Sequence, residues 1–168
     1  MPSSARHSEG EGVGKPNSRR EILQSAAQLV SLVRPEIDMY RAVTRDIRVT
    51  VTPQYLADRS SAEDGRFFWA YTIEIVNLGK MTVQLRSRHW KITDAHGKLQ
   101  EVKGPGVVGE QPVLKPGERF EYTSGVPLTT PTGTMAGTYQ IVSEGGESFD
   151  VEIPAFSLDS PHGKRVLH

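Results

Sequence analysis

The sequence predicts an all-β fold, an antiparallel β-sandwich of immunoglobulin or fibronectin type III character. Apolar and polar side chains alternate along several short segments, which is the period of a half-buried strand. Turn signals separate these segments and no helical crossover lies between them, so neighbouring strands are expected to run antiparallel. The immunoglobulin cysteine pair is absent because the chain has no cysteine, so only the layout is implied. A closed barrel is the alternative.

Residues 1–38 differ in composition from the rest of the chain. Their first part is rich in Ser, Gly and Glu without periodicity, and it has too little apolar surface to offset the entropy of ordering. Ser18 and Glu21 then form a capping-box pattern, and apolar residues recur at helical spacing up to Pro35. We therefore expect a disordered segment and a short amphipathic helix. The helix docks on a partner or on the domain, or it is upstream sequence if Met39 is the initiator.

From Tyr40 to Pro161 the apolar pattern has a period of two residues, as where Ile47, Val49 and Val51 alternate with polar side chains. Successive side chains on a strand point to opposite faces, so one face of each strand is expected to be buried. The predicted strands cover residues 47–52, 68–75, 83–94, 99–103, 120–126, 137–143 and 148–153. Turn signals lie at residues 77–79, 94–97, 116–117, 132–133 and 145–146.

The third predicted strand changes its apolar parity part-way along. Val83 and Leu85 occupy odd positions, whereas Trp90 and Ile92 occupy even ones. A slip of one residue moves every later side chain to the opposite face of the sheet. We therefore predict a bulge or a bend within residues 86–89.

Composition argues against several functions. Lys and Arg total 20 and so do Asp and Glu, so the basic excess typical of nucleic-acid binding is missing. Without cysteine the chain can form no disulfide, thiolate zinc site or cysteine nucleophile, which fits a reducing compartment. No apolar run approaches the roughly 18 residues of a membrane span, and the N-terminus does not resemble a secretory signal. A cytoplasmic protein is expected.

A glycine motif is the most functional-looking pattern in the sequence. Gly104, Gly106 and Gly109 match G-x-G-x-x-G, which binds pyrophosphate when a strand precedes it and a helix follows it. Pro112 and Pro116 leave no room for that helix. Two interpretations stay open. The free N–H groups of the loop bind a phosphate group, or the glycines supply unusual backbone torsions where the chain crosses between sheets.

Three side chains of metal-ligand type are clustered in the sequence, namely His89, Asp94 and His96. They satisfy no tight ligand spacing, so they are the candidates for a metal site but no such site is predicted. The alternative is an Asx-type turn at Asp94 with two solvent-facing imidazoles. His162 and His168 are expected to be solvated in a C-terminal tail.

Catalytic patterns are missing, and one basic cluster is present. Ser124 has no nucleophile elbow around it and no evident histidine and acid partner, so its hydroxyl is expected to pair within the sheet. Arg86, Arg88 and Lys91 lie close together beside Trp90. Either they contact an anionic partner or they form one solvated face of the sheet.

Several strings in this order resemble the bacterial ApaG family, and the resemblance covers residues 39–161. They are FWAYTI at 68–73, NLG at 77–79, VQL at 83–85, RHWKITD at 88–94, GPGVVGEQP at 104–112, PGE at 116–118, YTSG at 122–125 and GTMAG at 133–137. The domain organisation that follows is an extension at 1–38, an ApaG domain at 39–161 and a flexible tail at 162–168.

The resemblance implies a fibronectin type III-like β-sandwich of unknown molecular activity. Bacterial members often lie beside a dinucleoside tetraphosphate hydrolase and are linked to cobalt tolerance and magnesium efflux. Similar domains in eukaryotic F-box proteins and in a polymerase-interacting protein suggest protein contacts. The family's glycine motif, with its suggested pyrophosphate role, falls on Gly104, Gly106 and Gly109. This chain departs from the family pattern at Pro105, which removes one N–H, and in its N-terminal extension, since family chains typically begin near the position of Met39.

The sequence thus predicts a non-enzymatic interaction module with a protein partner and a family link to cobalt and magnesium homeostasis. The alternative is a binder or sensor of pyrophosphate or dinucleoside polyphosphates, a phosphate-containing small molecule held by the glycine loop. A hydrolase would need an acid and base pair, which these residues do not supply. No cofactor, nucleic acid or membrane is expected to bind.

Overall fold

A computed structural model describes residues 39–163. The predicted disordered segment and helix within residues 1–38, and the end of the tail with His168, lie outside the described residues. The described strands, in chain order, are β1 (Tyr40–Thr44), β2 (Ile47–Tyr55), β3 (Phe67–Asn77), β4 (Val83–Asp94), β5 (Leu99–Pro105), β6 (Val113–Leu114), β7 (Arg119–Leu128), β8 (Gly133–Ser143) and β9 (Ser148–Leu158). A short 3-10 helix (Ala57–Arg59) lies between β2 and β3.

The strands form two antiparallel sheets. One sheet has the order β1-β2-β3-β7, and the other has the order β5-β4-β8-β9 with β6 also paired to β4. All strand pairs are antiparallel. The predicted antiparallel sandwich is confirmed, and the strands of residues 39–163 form two separate sheets and not a closed barrel.

The core lies between the two sheets and is built from the alternating apolar residues. In β3 the odd-numbered side chains from Phe67 to Ile75 are all buried, as the two-residue period predicts. Phe156 of β9 packs against Trp90 of β4 and Tyr71 of β3, with ring centroids 6.0 Å apart in both pairs. Edge-to-face and tilted packing of this kind adds to the stabilisation that burial of the aromatic area provides.

The predicted bulge in β4 is confirmed at Arg86. The register of β4 against β8 shifts between Leu85 and Ser87, so Arg86 is the extra residue. As a result the odd-numbered Val83 and the even-numbered Trp90 are both buried, although their parities differ. The bulge also places Arg88 on the core side of β4.

The strands β1 and β6 were not among the predicted strands. A two-residue turn joins β1 to β2, with positive φ at Arg45 (47°) and Asp46 (64°), which is the torsion pattern of a type I′ turn. The sequence carries no glycine there, so the usual hairpin signal is missing. β6 has only two residues, because Pro112 and Pro116 flank it and proline cannot donate to a strand ladder.

The C-terminal residues fold back over one end of the sandwich. Trp69 Nε1 donates a hydrogen bond to the Asp159 carbonyl (2.8 Å), which satisfies the only polar group of a buried indole. His162 is exposed, as expected, but its ring also contacts those of Tyr55 and Phe67, at centroid distances of 6.3 and 6.1 Å. No helix among residues 39–163 is long and apolar enough to cross a membrane.

Candidate functional site

The glycine segment, residues 104–112, is an excursion from the edge of one sheet. Both β5 and β6 pair with β4, so the chain leaves this edge and returns to it. Residues at the bulge of β4 form hydrogen bonds with both ends of the glycine segment. The Arg86 carbonyl accepts hydrogen bonds from Gly106 N–H and Gln111 Nε2, both at 2.8 Å, and Leu85 N–H donates to the Pro112 carbonyl (3.1 Å). The chain crosses to the other sheet only after β6, so the predicted crossing at the glycines was wrong.

Two of the glycines are required by the backbone. Gly106 has a φ of 60°, and a Cβ there would lie 2.3 Å from the Glu110 carbonyl oxygen. Gly109, with a φ of 81°, shares a two-residue turn with Val108, whose φ is 44°. The turn is closed by hydrogen bonds between Val107 and Glu110 in both directions, at 2.8 and 2.9 Å. The prediction that the glycines supply unusual torsions is therefore confirmed for these two positions.

Most N–H groups of the glycine segment already have acceptors within the protein. Those of Gly106, Val107 and Glu110 donate to carbonyl groups, and Pro105 has none. Among the described hydrogen bonds, the N–H groups of Val108, Gly109 and Gln111 have no acceptor. An anion nest needs several converging N–H groups. Too few free N–H groups converge in this segment to form a phosphate-binding nest.

Arg88 belongs to the basic cluster for which the sequence left two interpretations open, contact with an anionic partner or a solvated face of the sheet. It shares the core-facing side of β4 with Trp90 and Ile92. Its Nη1 donates to the Pro105 carbonyl (2.9 Å) and to the Gly106 carbonyl (2.8 Å), which are charge-assisted bonds. Arg88 is therefore not part of a solvated face. After the bulge the buried residues of β4, Trp90 and Ile92, occupy even positions. Arg88 also occupies an even position, and this was the sequence signal that could have placed it on the core side.

A cluster of buried hydroxyl groups lies near Arg88. The Tyr122 and Tyr139 hydroxyls hydrogen-bond to each other, and Ser124 lies directly opposite Tyr71 in the ladder between β3 and β7. Burial raises the pKa of Tyr122 and of Tyr139 above the ordinary phenol value, and the positive charge of Arg88 opposes the rise only in part. These phenols stay neutral at physiological pH and act as packed polar groups.

The three metal candidates are not brought together. His89 Nε2 lies 3.0 Å from Glu101 Oε1 on the outer face of the sheet. Asp94 Oδ1 accepts hydrogen bonds from the N–H groups of His96 and Lys98, both at 2.9 Å. The predicted Asx-type turn is confirmed. Within residues 39–163 no three His, Asp or Glu side chains lie close enough to hold a metal ion.

A cleft opens where the ends of β3 and β7 in one sheet meet the end of β4 in the other. We call it the mouth cleft, and its volume is about 340 Å³. Its apolar lining is formed by Phe67, Phe68, Ile92, Pro127 and Leu128. The remaining lining residues are Arg59, Gly65, Arg66, Asp94, Lys98, Gln100 and Thr129. An apolar cleft of this size with a few polar groups is the usual form of a binding site.

The rim of the mouth cleft is positively charged. Its lining contains three cationic side chains, Arg59, Arg66 and Lys98, and one carboxylate, Asp94, which already accepts two backbone hydrogen bonds. Arg66 lies 3.4 Å from Asp64, but both side chains are mostly exposed, so this ion pair holds the guanidinium only weakly. The cleft therefore favours a ligand that carries negative charge.

The segment that supplies Arg59 and Arg66 is fixed to β3. Ser60 Oγ donates to the Leu56 carbonyl (2.7 Å) and accepts from Phe68 N–H (2.9 Å). Ser61 and Arg66 form an isolated antiparallel bridge. No periodic pattern in the sequence marks this segment, and the cleft residues come from five separate stretches, so sequence reasoning missed the site.

Comparisons with known proteins identify the family. A family model described as ApaG domain matches residues 57–143. Protein ApaG of Azorhizobium caulinodans is 68% identical over 130 residues, which cover 77% of this chain and 100% of that protein. Protein ApaG of Methylocella silvestris is 62% identical with the same coverage. A Bordetella pertussis crystal structure described as an ApaA protein has 50% identity and a TM-score of 0.68, and the match covers 73% of this chain and 100% of that one. This chain belongs to the ApaG family.

Proposed function

We propose that the chain is a non-catalytic, cytoplasmic interaction module that binds a segment of another protein in the mouth cleft. The observation that carries the proposal is the cleft itself, with apolar side chains at its centre and three cationic side chains at its rim. Specific interfaces commonly bury an apolar anchor inside a polar rim. The cleft offers a partner both features on one surface.

The contacts of the hydroxyl and carboxylate groups favour binding over catalysis. Ser124 lies opposite Tyr71 in the ladder between β3 and β7, and no hydrogen bond joins its hydroxyl to a histidine or a carboxylate of the described residues. Asp94 holds its own turn through two backbone N–H groups. Catalysis of hydrolysis needs a nucleophile or an activated water next to an acid and base pair. In this proposal the effect on cobalt and magnesium homeostasis, to which the family is linked, comes from the bound partner.

Site-specific photo-crosslinking in living cells tests the proposal. A photoreactive phenylalanine replaces Gln100, which lines the cleft, and in a matched control it replaces Lys91, which is exposed on the outer face of β4. We expect a discrete crosslinked protein from position 100 and none from position 91. Identical product patterns at both positions, or no product at position 100, would contradict the proposal.

The alternative function, a binder of pyrophosphate or dinucleoside polyphosphates, has one supporting observation. The N–H groups of Val108 and Gly109 lie at the exposed tip of the glycine segment without an acceptor among the described residues. Against it stand the carboxylate of Glu110 beside the tip and the internal hydrogen bonds donated by the N–H groups of Gly106, Val107 and Glu110. A shift of the Val108 and Gly109 amide resonances on addition of millimolar pyrophosphate would favour this alternative.

A further inference from the structure

We infer that the partner segment is an extended acidic peptide that adds a strand to the free edge of β5 and inserts an apolar side chain into the mouth cleft. The inference rests on the proposed function and specifies the chemistry of the partner. It combines three features of the described residues, namely an unpaired strand edge, an apolar cleft beside that edge, and the charge at the rim of the cleft.

The first feature is the free edge of β5. Within residues 39–163, β5 pairs with β4 alone and ends its sheet. Asp94 N–H donates to the Lys98 carbonyl (3.0 Å), which fixes the alternation of the antiparallel ladder. Leu99, Glu101 and Lys103 therefore direct their N–H and C=O groups away from β4. These groups form a template for another strand.

The second feature is the position of this edge next to the cleft. Lys98 directly precedes β5, Gln100 lies near its start, and both line the mouth cleft. Across the cleft lies the end of β7, where Pro127 has no N–H to donate. A partner strand therefore gains more hydrogen bonds on β5 than on β7. Side chains alternate along such a strand, so every second one can enter the cleft.

The third feature is the chemistry of the cleft. Its inner lining contains Phe67, Ile92 and Leu128, which suit a Leu or Phe side chain of the partner. Its rim presents Arg59 and Arg66 beside Lys98. Guanidinium groups pair with carboxylates through two parallel hydrogen bonds. The preferred peptide therefore carries Asp or Glu residues on both sides of a bulky apolar residue.

The first experiment is a selection of random heptapeptides on the full chain, followed by affinity measurements on single peptides. We expect the selected peptides to be enriched in Asp and Glu around one Leu or Phe. The double variant Arg66→Glu with Lys98→Glu should weaken an acidic peptide about tenfold, since each reversal replaces a weak attraction by a repulsion. Lys91→Glu, a charge reversal outside the cleft, should leave the affinity within about twofold. Enrichment of neutral or basic peptides would overturn the inference.

The second experiment tests strand addition. Two versions of the best peptide carry N-methyl groups on alternate residues, one on the odd set and one on the even set. A peptide that pairs with β5 donates through only one of these sets, so one version should lose binding and the other should keep it. Equal binding of both versions would overturn the inference.

These outcomes separate the inference from the proposed function. If the photoreactive group at position 100 captures a partner whose crosslink persists in the Arg66→Glu and Lys98→Glu background, the acidic-peptide inference fails and the interaction module stands. If position 100 captures nothing while acidic heptapeptides bind as described, the surface can bind such peptides but the proposed function fails.

Discussion

Replacement of Gly106 by alanine should destabilise the domain by about 3 to 4 kcal/mol. A left-handed conformation costs an alanine about 1 to 2 kcal/mol. The new Cβ would also lie 2.3 Å from the Glu110 carbonyl oxygen, which is too close for the turn to persist. Opening of the turn removes the two hydrogen bonds between Val107 and Glu110, each worth about 1 kcal/mol. Val107 is fully buried, so its displacement adds to the cost.

Urea denaturation of the full chain measures this difference, and Gly109→Ala supplies the matched control. Gly109 has a φ of 81°, but a Cβ there would meet nothing within 4 Å. Its replacement should therefore cost only the free energy of the left-handed conformation, about 1 to 2 kcal/mol. If Gly106→Ala costs no more than Gly109→Ala, the close approach to Glu110 is not real and the structural explanation of the glycine segment is wrong.

Three further predictions concern single side chains. Val108→Asn should stabilise the domain by about 1 kcal/mol in thermal denaturation, because a β-branched residue is strained at a φ of 44° and asparagine tolerates it; an unchanged midpoint would count against that strain. Arg88→Met should lower the free energy of unfolding by about 2 to 3 kcal/mol, since it removes two charge-assisted bonds to carbonyl groups of the glycine segment. The control Lys91→Met, on the outer face, should lower it by under about 0.5 kcal/mol. Equal effects would place Arg88 on the surface. The hydrogen bond from Arg45 holds the pKa of Glu147 below its ordinary value of 4.5. The ionised carboxylate therefore stabilises the folded state above pH 4.5, and this stabilisation is lost as the pH falls through the lower pKa of the folded state. The melting temperatures of the native chain and of Glu147→Gln should converge as the pH falls below about 4.5, and a gap that is independent of pH would exclude this linkage.

Most of the fold could be predicted because each strand carries its burial pattern in its own residues. The parity change between Leu85 and Trp90 located the bulge to within a few residues of Arg86, since only an inserted residue keeps both on the core side. The pairing of β6 could not be predicted in the same way. Its two residues are held by partners far along the chain, and two residues are too few to show a period.

The functional site was harder to predict because its parts are distant in sequence. Arg88 appeared to belong to a basic surface cluster, and only the parity beyond the bulge reveals that it faces the core. The mouth cleft joins side chains from the 3-10 segment, four strands and the turn at Asp94. Their proximity depends on how the two sheets are placed against each other. No local pattern encodes that arrangement.

The glycine motif shows how one pattern can serve two roles. Glycine is needed where a phosphate approaches the backbone, and it is equally needed where the backbone approaches itself. The sequence could not separate these causes. The short distance from Gly106 to the Glu110 carbonyl and the hydrogen bonds to the Arg86 carbonyl favour the second cause.

One NMR titration tests most directly whether the binding surface is the mouth cleft or the glycine segment. An isotope-labelled sample of the full chain receives first millimolar pyrophosphate and then an acidic heptapeptide from the selection. We predict that pyrophosphate leaves the amide resonances of Val108 and Gly109 in place, and that the peptide shifts those of Lys98, Gln100 and Leu128. Movement of Val108 and Gly109 with pyrophosphate, together with no peptide-induced shift at the cleft, would contradict the account.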